Sequence, residues 1–281
     1  MSVDAWLRLA FLGLHPERTF ALLDRHGGAE DVISAVARGD EDVGVELLAA
    51  AECRRRVACA GSNFDLAQDA GWAASFAYLP DAPAWLFRKG PLSEEARVAI
   101  VGTRQCTEYG RRLAFEWASA CAEAGWVVVS GLARGIDAAA HRGALAVGGR
   151  TVAVLGCGPD VRYPRQHAGL HREIVDRGGA VVTEYPPGAE PLPWRFPPRN
   201  RIISGLSAAV VVVESAASGG SLSTAARAVA QGRMVFAVPG DVDRVASVGC
   251  NRLIRDGAVP VLGADDLVEA LSLVRGSPSN L

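Results

Sequence analysis

The chain has a single lysine, Lys89, among its 29 basic residues. Nearly every cation is therefore a guanidinium, the group suited to bidentate phosphate contacts and to stacking on bases. The six cysteines, Cys53, Cys59, Cys106, Cys121, Cys157 and Cys250, form no CxxC pair. That spacing excludes a zinc knuckle and a disulfide framework and leaves buried free thiols. Long apolar runs are missing as well: Val210 to Val213 is far short of the roughly 20 residues of a membrane helix. Asp4 stands where a signal peptide would be basic. A cytoplasmic protein without membrane contact is expected.

The usual marks of catalysis and of cofactor binding are also wanting. In "LGCGPD" the first two glycines of a dinucleotide fingerprint are present, but Val161 takes the place of the third, which argues against NAD. His167 and His171 stand four apart in "HAGLH", yet position 168 is not Glu and no third ligand is near, so a surface helix is expected rather than a metal site. "GLSAA" around Ser207 lacks the closing glycine of a nucleophile elbow. No catalytic residue, metal or cofactor is expected.

What the chain does have is length and apolar content: 281 residues, 49% hydrophobic, enough for one large domain with a smaller one attached. Residues 6 to 60 show helical apolar spacing broken by Gly13, Pro16 and Gly27-Gly28. Prolines at 80, 83 and 91 then bracket a short strand around Trp85 to Phe87. A boundary near residue 70 is expected, giving a helical domain over 1–70 and a larger one over 71–281. From Arg97 onward "RVAIVG", "WVVVSG", "TVAVLG", "AVVTEY", "AAVVVVES", "MVFAVPG" and "VPVLG" alternate with helical stretches. That alternation predicts an α/β, doubly wound, mostly parallel sheet with ligands at the carboxyl ends of its strands.

The formal net charge of -2 argues weakly against a nucleic-acid partner, but the charge is unevenly spread. Residues 1–90 hold 9 basic and 13 acidic groups, whereas 102–201 hold 13 basic and 9 acidic. The strand-end motifs lie in the basic part. "VVVSGLARGIDAAAH" reads as strand, glycine turn and helix, a geometry that leaves backbone N–H groups free for an anion. Asp137 is expected to cap that helix. Arg104 in "VGTRQ" would face the same crevice. In "FPPRNRIISGLS", Arg199 and Arg201 flank Asn200 at a helix start and could grip neighbouring phosphates; the alternative is an arginine pair bridging Glu184 or Glu214. "SGGSLST" can form a second anion nest from Ser218, Ser221, Ser223 and Thr224.

Taken in order, "RVAIVGTRQCTEYG", "VVVSGLARGIDAAAHRGAL", "GGRTVAVLGCGPDVRYPRQH", "FPPRNRIISGLSAAVVVVES", "SGGSLSTA" and "VFAVPGDVDRVASVGCNRLIRDGA" resemble the DNA-processing protein A family, DprA or Smf. The likeness covers about residues 80–265, and the N-terminal part resembles that family's small SAM-like helical domain. The resemblance implies an extended Rossmann-like domain that binds single-stranded DNA without sequence preference and helps to load a RecA-type recombinase in transformation or repair. It implies no catalysis and no cofactor. By motif it implies phosphate contacts from Arg104, Ser130, Gly131, Arg134, Gly135, Arg199, Asn200 and Arg201, with Arg165, Ser221 and Thr224 as further contacts. It also implies a homodimer through Leu253, Ile254 and Val259. His167 stands where the family usually has Asn, and Gly219 where it usually has Ser. The family's C-terminal winged helix is not expected after the Gly/Ser/Pro tail.

Two other classes share these turns. A nucleotide-processing enzyme like the cytokinin-activating phosphoribohydrolases would need a glutamate in the helix after "SGGSLST", which carries no acid before Gln231. A sensor of free nucleotides would use the same nests without turnover.

Overall fold

The computed structural model describes residues 2–77, 79 and 81–275. Pro80 and the Gly/Ser/Pro tail lie outside them. Four short helices come first: α1 (Val3–Phe11), α2 (Pro16–His26), α3 (Ala29–Arg38) and α4 (Ala50–Cys59). Gly27 and Gly39 end α2 and α3 in the left-handed conformation, which a residue without Cβ adopts at little cost. Leu7, Leu9, Leu22, Val32 and Ile33 face inward and share a core with Leu66, Trp85 and Phe87. Those three belong to β1 (Asn63–Leu66) and β2 (Trp85–Lys89), so the helical unit is fused to the edge of the sheet. The sheet thus begins before residue 70, where composition alone placed the change of domain.

The remaining elements are β3 (Arg97–Val101), α5 (Glu108–Glu123), β4 (Val127–Ser130), α6 (Ile136–Ala146), β5 (Thr151–Val154), α7 (Ala168–Asp176), β6 (Ala180–Thr183), α8 (Phe196–Gly205), β7 (Ala209–Val212), α9 (Gly220–Ala230), β8 (Met234–Ala237), α10 (Val248–Arg255), β9 (Val259–Pro260) and α11 (Ala264–Arg275). The nine strands run in the order β1-β2-β6-β5-β4-β3-β7-β8-β9. Pairings from β6 across to β9 are parallel, and only β1 and β2 are antiparallel. The α/β, mostly parallel, doubly wound architecture is therefore as the sequence indicated.

Both sheet faces are buried. Val98, Ile100, Val128 and Val211 point towards α5, α6 and α11, while Ala99, Val101, Val129, Val210 and Val212 point towards α8, α9 and α10. Period-two alternation between two apolar environments is why these strands read as unbroken valine-rich runs. The chain builds outward from β3 to β6, then returns to lay β7 against β3. The carboxyl ends of β3 and β7 therefore diverge at the topological switch point.

Helices α5 and α6 approach closely because Gly143 offers no side chain at the contact; a Cβ there would run into the Phe115 carbonyl. Ser119 Oγ locks the pair by bonding the carbonyls of Phe115 (3.0 Å) and Gly143 (2.9 Å). Gly143→Val should force these helices apart and lower stability by about 1–3 kcal/mol, the usual cost of overpacking, as read from the urea midpoint.

Candidate nucleic-acid interface

The loop after β4 is organised from inside by Asp137. Its carboxylate accepts the backbone N–H of Gly131 (3.1 Å) and of Ala133 (3.3 Å). Asp137 therefore ties down the loop that precedes the helix, rather than serving as its N-cap, which is Gly135. The Gly131 N–H expected to point at a phosphate is spent on this bond. Ser130 is turned away too: its hydroxyl donates to the Ile100 carbonyl at 2.7 Å and is wholly buried between β4 and β3. Gly135, at φ 77°, presses against the backbone of Thr103 and Arg104, and a Cβ would collide with both. Its part is to interlock the loops after β3 and β4.

Arg199 is the strut behind this loop. One guanidinium nitrogen donates to the carbonyls of Gly131 (2.9 Å) and Val154, and Nε reaches the Asn200 side chain at 3.2 Å. Gly131 leaves the gap that the guanidinium and the Asp137 carboxylate share, since a Cβ would lie 2.7 Å from one and 2.8 Å from the other. Burial pushes the Asp137 carboxyl up and the Arg199 guanidinium down, and each charge opposes the other's shift. Arg201 is 3% exposed and pairs with Glu184 at 2.7 Å. Of the two readings the sequence left open for Arg201, the ion pair is the one found. Asn200 is buried and reaches towards the Gly220 carbonyl at 3.5 Å.

These positions correct the expected contact set. Ser130 is buried at the end of β4, and Arg199, Asn200 and Arg201 are buried because α8 packs the residues after its two prolines against the sheet, with Arg199 backing a recess on the rim. Ser221 and Thr224 do the same on α9: the Ser221 hydroxyl donates to Ser215 Oγ at 2.9 Å, and Thr224 is 2% exposed. Of the hydroxyls expected in the second nest, these two are turned inward, while Ser218 stays exposed and Ser223 half-buried. His167 and His171 lie on a buried face, at 5% and 6% exposure, and not on a surface helix. Arg165 remains exposed on the turn before α7. Leu253 and Ile254 are half-buried against the sheet, while Val259 is exposed on β9, the strand that ends the sheet.

Even the switch-point crevice is filled. Glu214, at the end of β7, takes the Thr107 N–H (2.9 Å) and hydroxyl (2.6 Å) at the start of α5. Gly110 makes room for that carboxylate.

One strand further along the rim, an open basin of about 440 Å³ is lined by Arg104, Gln105, Cys106, Arg111, Arg134, Gly135, Ala138, Arg142, Gln166 and His167. No acidic side chain lines it. Arg111 pairs with Glu108, whereas Arg104, Arg134 and Arg142 have no carboxylate within ion-pair distance among the described residues. Most other arginines in the chain are paired. Unpaired guanidiniums crowded together repel one another, and an anion relieves that repulsion. Sequence reasoning named Arg104 and Arg134 but missed Arg142, although Gly135, Ala138 and Arg142 stand at i, i+3 and i+7, on one helix face.

A recess of about 150 Å³ adjoins the basin and shares Arg104, Arg134 and Gln166 with it. Its walls are Leu155, Gly156, Cys157, Tyr163, Pro164 and Phe196, with Arg199 at the back. The rings of Tyr163 and Phe196 are 5.5 Å apart, and the Arg104 guanidinium lies 5.8 Å from the Phe196 ring. Burial pushes the Cys157 thiol up to about 12, so it stays protonated and adds no negative charge. A basin ringed by cations and a recess with aromatic residues in its wall thus lie side by side.

Arg201 tests the division between frame and contact. Arg201→Ala should strand the Glu184 carboxylate in the interior and cost about 3–5 kcal/mol of stability, whereas Glu184→Leu with Arg201→Met should recover much of it. Urea unfolding of the single and double variants measures both.

Residues 63–272 match the family model for DNA recombination-mediator protein A. Protein Smf of Escherichia coli K12 is 45% identical over 193 residues, which cover 68% of this chain and 52% of that protein, so the chain spans about half that relative's length. The putative DNA processing protein DprA of Mycobacterium tuberculosis is 40% identical over 293 residues, covering 95% of this chain and 75% of its own. The X-ray structure of DprA from Streptococcus pneumoniae superposes with a TM-score of 0.80 at 33% identity, covering 96% of this chain and 98% of that one. DNA processing protein A of Helicobacter pylori, a structure solved for its single-stranded DNA binding mode, gives 0.63 at 28% identity, covering 71% and 92%. Since the family model takes in the whole parallel sheet and the basin on its rim, the chain belongs to the DNA recombination-mediator protein A family.

Proposed function

We propose that the chain binds single-stranded DNA without sequence preference and delivers it to a RecA-type recombinase. The observation that carries the DNA reading is the basin with three unpaired guanidiniums, Arg104, Arg134 and Arg142, beside an aromatic-walled recess. Guanidiniums hold backbone phosphates regardless of sequence. The recess beside the packed Tyr163 and Phe196 rings offers an aromatic face to one unpaired base, which a single strand can turn out and a duplex keeps stacked. The Helicobacter pylori relative, characterised for single-stranded DNA binding, supports the same reading. The contact set proposed is Arg104, Arg134, Arg142 and Arg165, with Gln166, Tyr163 and Phe196 at the recess; Arg199 and Arg201 hold the frame.

The family's description as a DNA recombination mediator supports delivery to a recombinase. We propose in addition that two copies pair through the open sheet edge at β9, where Val259 is exposed, with Leu253 and Ile254 of α10 behind it. In this arrangement we take residues 1–70 as the helical domain, with β1 lent to the sheet, and residues 71–281 as the DNA-binding one. No enzymatic step is proposed: no carboxylate lines the basin to act as an acid or base.

Fluorescence anisotropy with a labelled single strand, its duplex and a mononucleotide competitor tests the reading. Arg104→Ala, Arg134→Ala and Arg142→Ala should each weaken binding on every sequence and reduce the slope of log affinity against log salt by about 0.7. Arg112→Ala, on an exposed arginine paired with Glu116 away from the basin, should change neither. If a mononucleotide displaces the strand at matched phosphate concentration, a sensor of free nucleotides replaces this reading.

A further inference from the structure

We propose that His167 couples phosphate binding in the basin to the uptake of one proton, making its imidazole a fifth cationic contact; this rests on the strand-binding reading above. The ring lines the basin, and its Nδ1 lies 2.9 Å from the Leu132 carbonyl oxygen. A carbonyl only accepts, so Nδ1 carries the hydrogen, and the neutral ring leaves Nε2 without one. Leu132 holds this geometry at φ 56°, a left-handed conformation that a residue with a branched side chain adopts only when its surroundings fix it.

A bare Nε2 offers a phosphate nothing but a lone pair. Once protonated, the ring donates from both nitrogens and adds a positive charge. A phosphate among the guanidiniums of Arg104, Arg111, Arg134 and Arg142 brings negative charge beside the ring, which favours its protonated form. Protonation and phosphate binding therefore assist each other, and by linkage lower pH must tighten binding.

The other groups around this ring do not titrate in its range. His141, on α6, is fully buried with Nδ1 2.7 Å from Thr151 Oγ1, and burial, assisted by the His167 charge, pushes it down to about 3. His171, on α7, is pushed down by burial. Burial also pushes up the Cys106 thiol, on the loop before α5, so it remains neutral. Asp137, on α6, is buried and bonded to its own loop. Arg165, two residues before His167, is exposed. Histidine is the side chain whose ordinary charge change falls between about pH 5 and 8, and His167 is the histidine that lines the basin.

Calorimetric titration with oligothymidylate, whose phosphodiesters and bases do not ionise near neutral pH, provides the test. Run at about pH 7 in two buffers of different ionisation enthalpy, it should show uptake on the order of one proton per bound site. Wild-type affinity should also rise about tenfold more than that of His167→Gln between about pH 8 and pH 6. The wild-type proton count stands whether or not the variant folds well. No uptake by the wild type, or equal uptake by His167→Gln, overturns the proton coupling and leaves strand binding intact. Failure of the wild type to bind oligothymidylate at either pH overturns both readings, and Arg104→Ala should weaken binding at both pH values alike.

Discussion

The rim of this sheet depends on one buried guanidinium. Arg199 joins the Gly131 carbonyl at the end of β4 to the Val154 carbonyl at the end of β5, and faces Asp137 across the gap left by Gly131. Two strand-end carbonyls and one helix start are gathered around a single planar donor. One terminal nitrogen serves both carbonyls while Nε turns to the Asn200 side chain, a spread of donors that a lysine ammonium cannot match. The loop so held presents Arg134 outward, and Gly135 locks it to the loop that presents Arg104. The exposed cations are placed by a buried one.

Carboxylates of the chain itself then decide where an anion can go. Asp137 takes the N–H groups of the β4 loop, and Glu214 takes the start of α5 at the switch point. In many doubly wound proteins these places, rich in free N–H groups and helix dipole, receive phosphate. Here they are satisfied internally, and the unpaired cationic side chains gather one strand further along, towards β5. The result is a broad, open, side-chain-lined surface in place of a narrow backbone cradle.

Much of the fold could be read from the sequence because burial on both faces turns each parallel strand into a continuous apolar run, as in "AAVVVVES". β1 escaped because "NFDL" is short and mixed, and only its pairing with β2 makes it a strand. For the site, the motifs located the correct loops but not the direction of each side chain. Arg199, Asn200 and Arg201 follow a proline pair at a helix start, and nothing in that spacing reveals that α8 turns all three inward. Asp137 was read as a cap because its neighbour Gly135 marks the helix start, whereas its carboxylate reaches back to Gly131. Arg142 was legible in principle from its spacing to Gly135, but the alanines between gave no polar signal to draw attention to it.

The closed crevice at Glu214 bears on how a protein of this architecture meets the small metabolites of a cell. An enclosed, dipole-lined pocket captures a lone nucleotide as readily as a linked one. An open field of guanidiniums gives a solitary phosphate few simultaneous contacts, whereas each phosphate of a polymer raises the effective concentration of the next. Filling the crevice with its own carboxylate thus leaves a surface on which connectivity, more than the chemistry of any one unit, decides what stays bound.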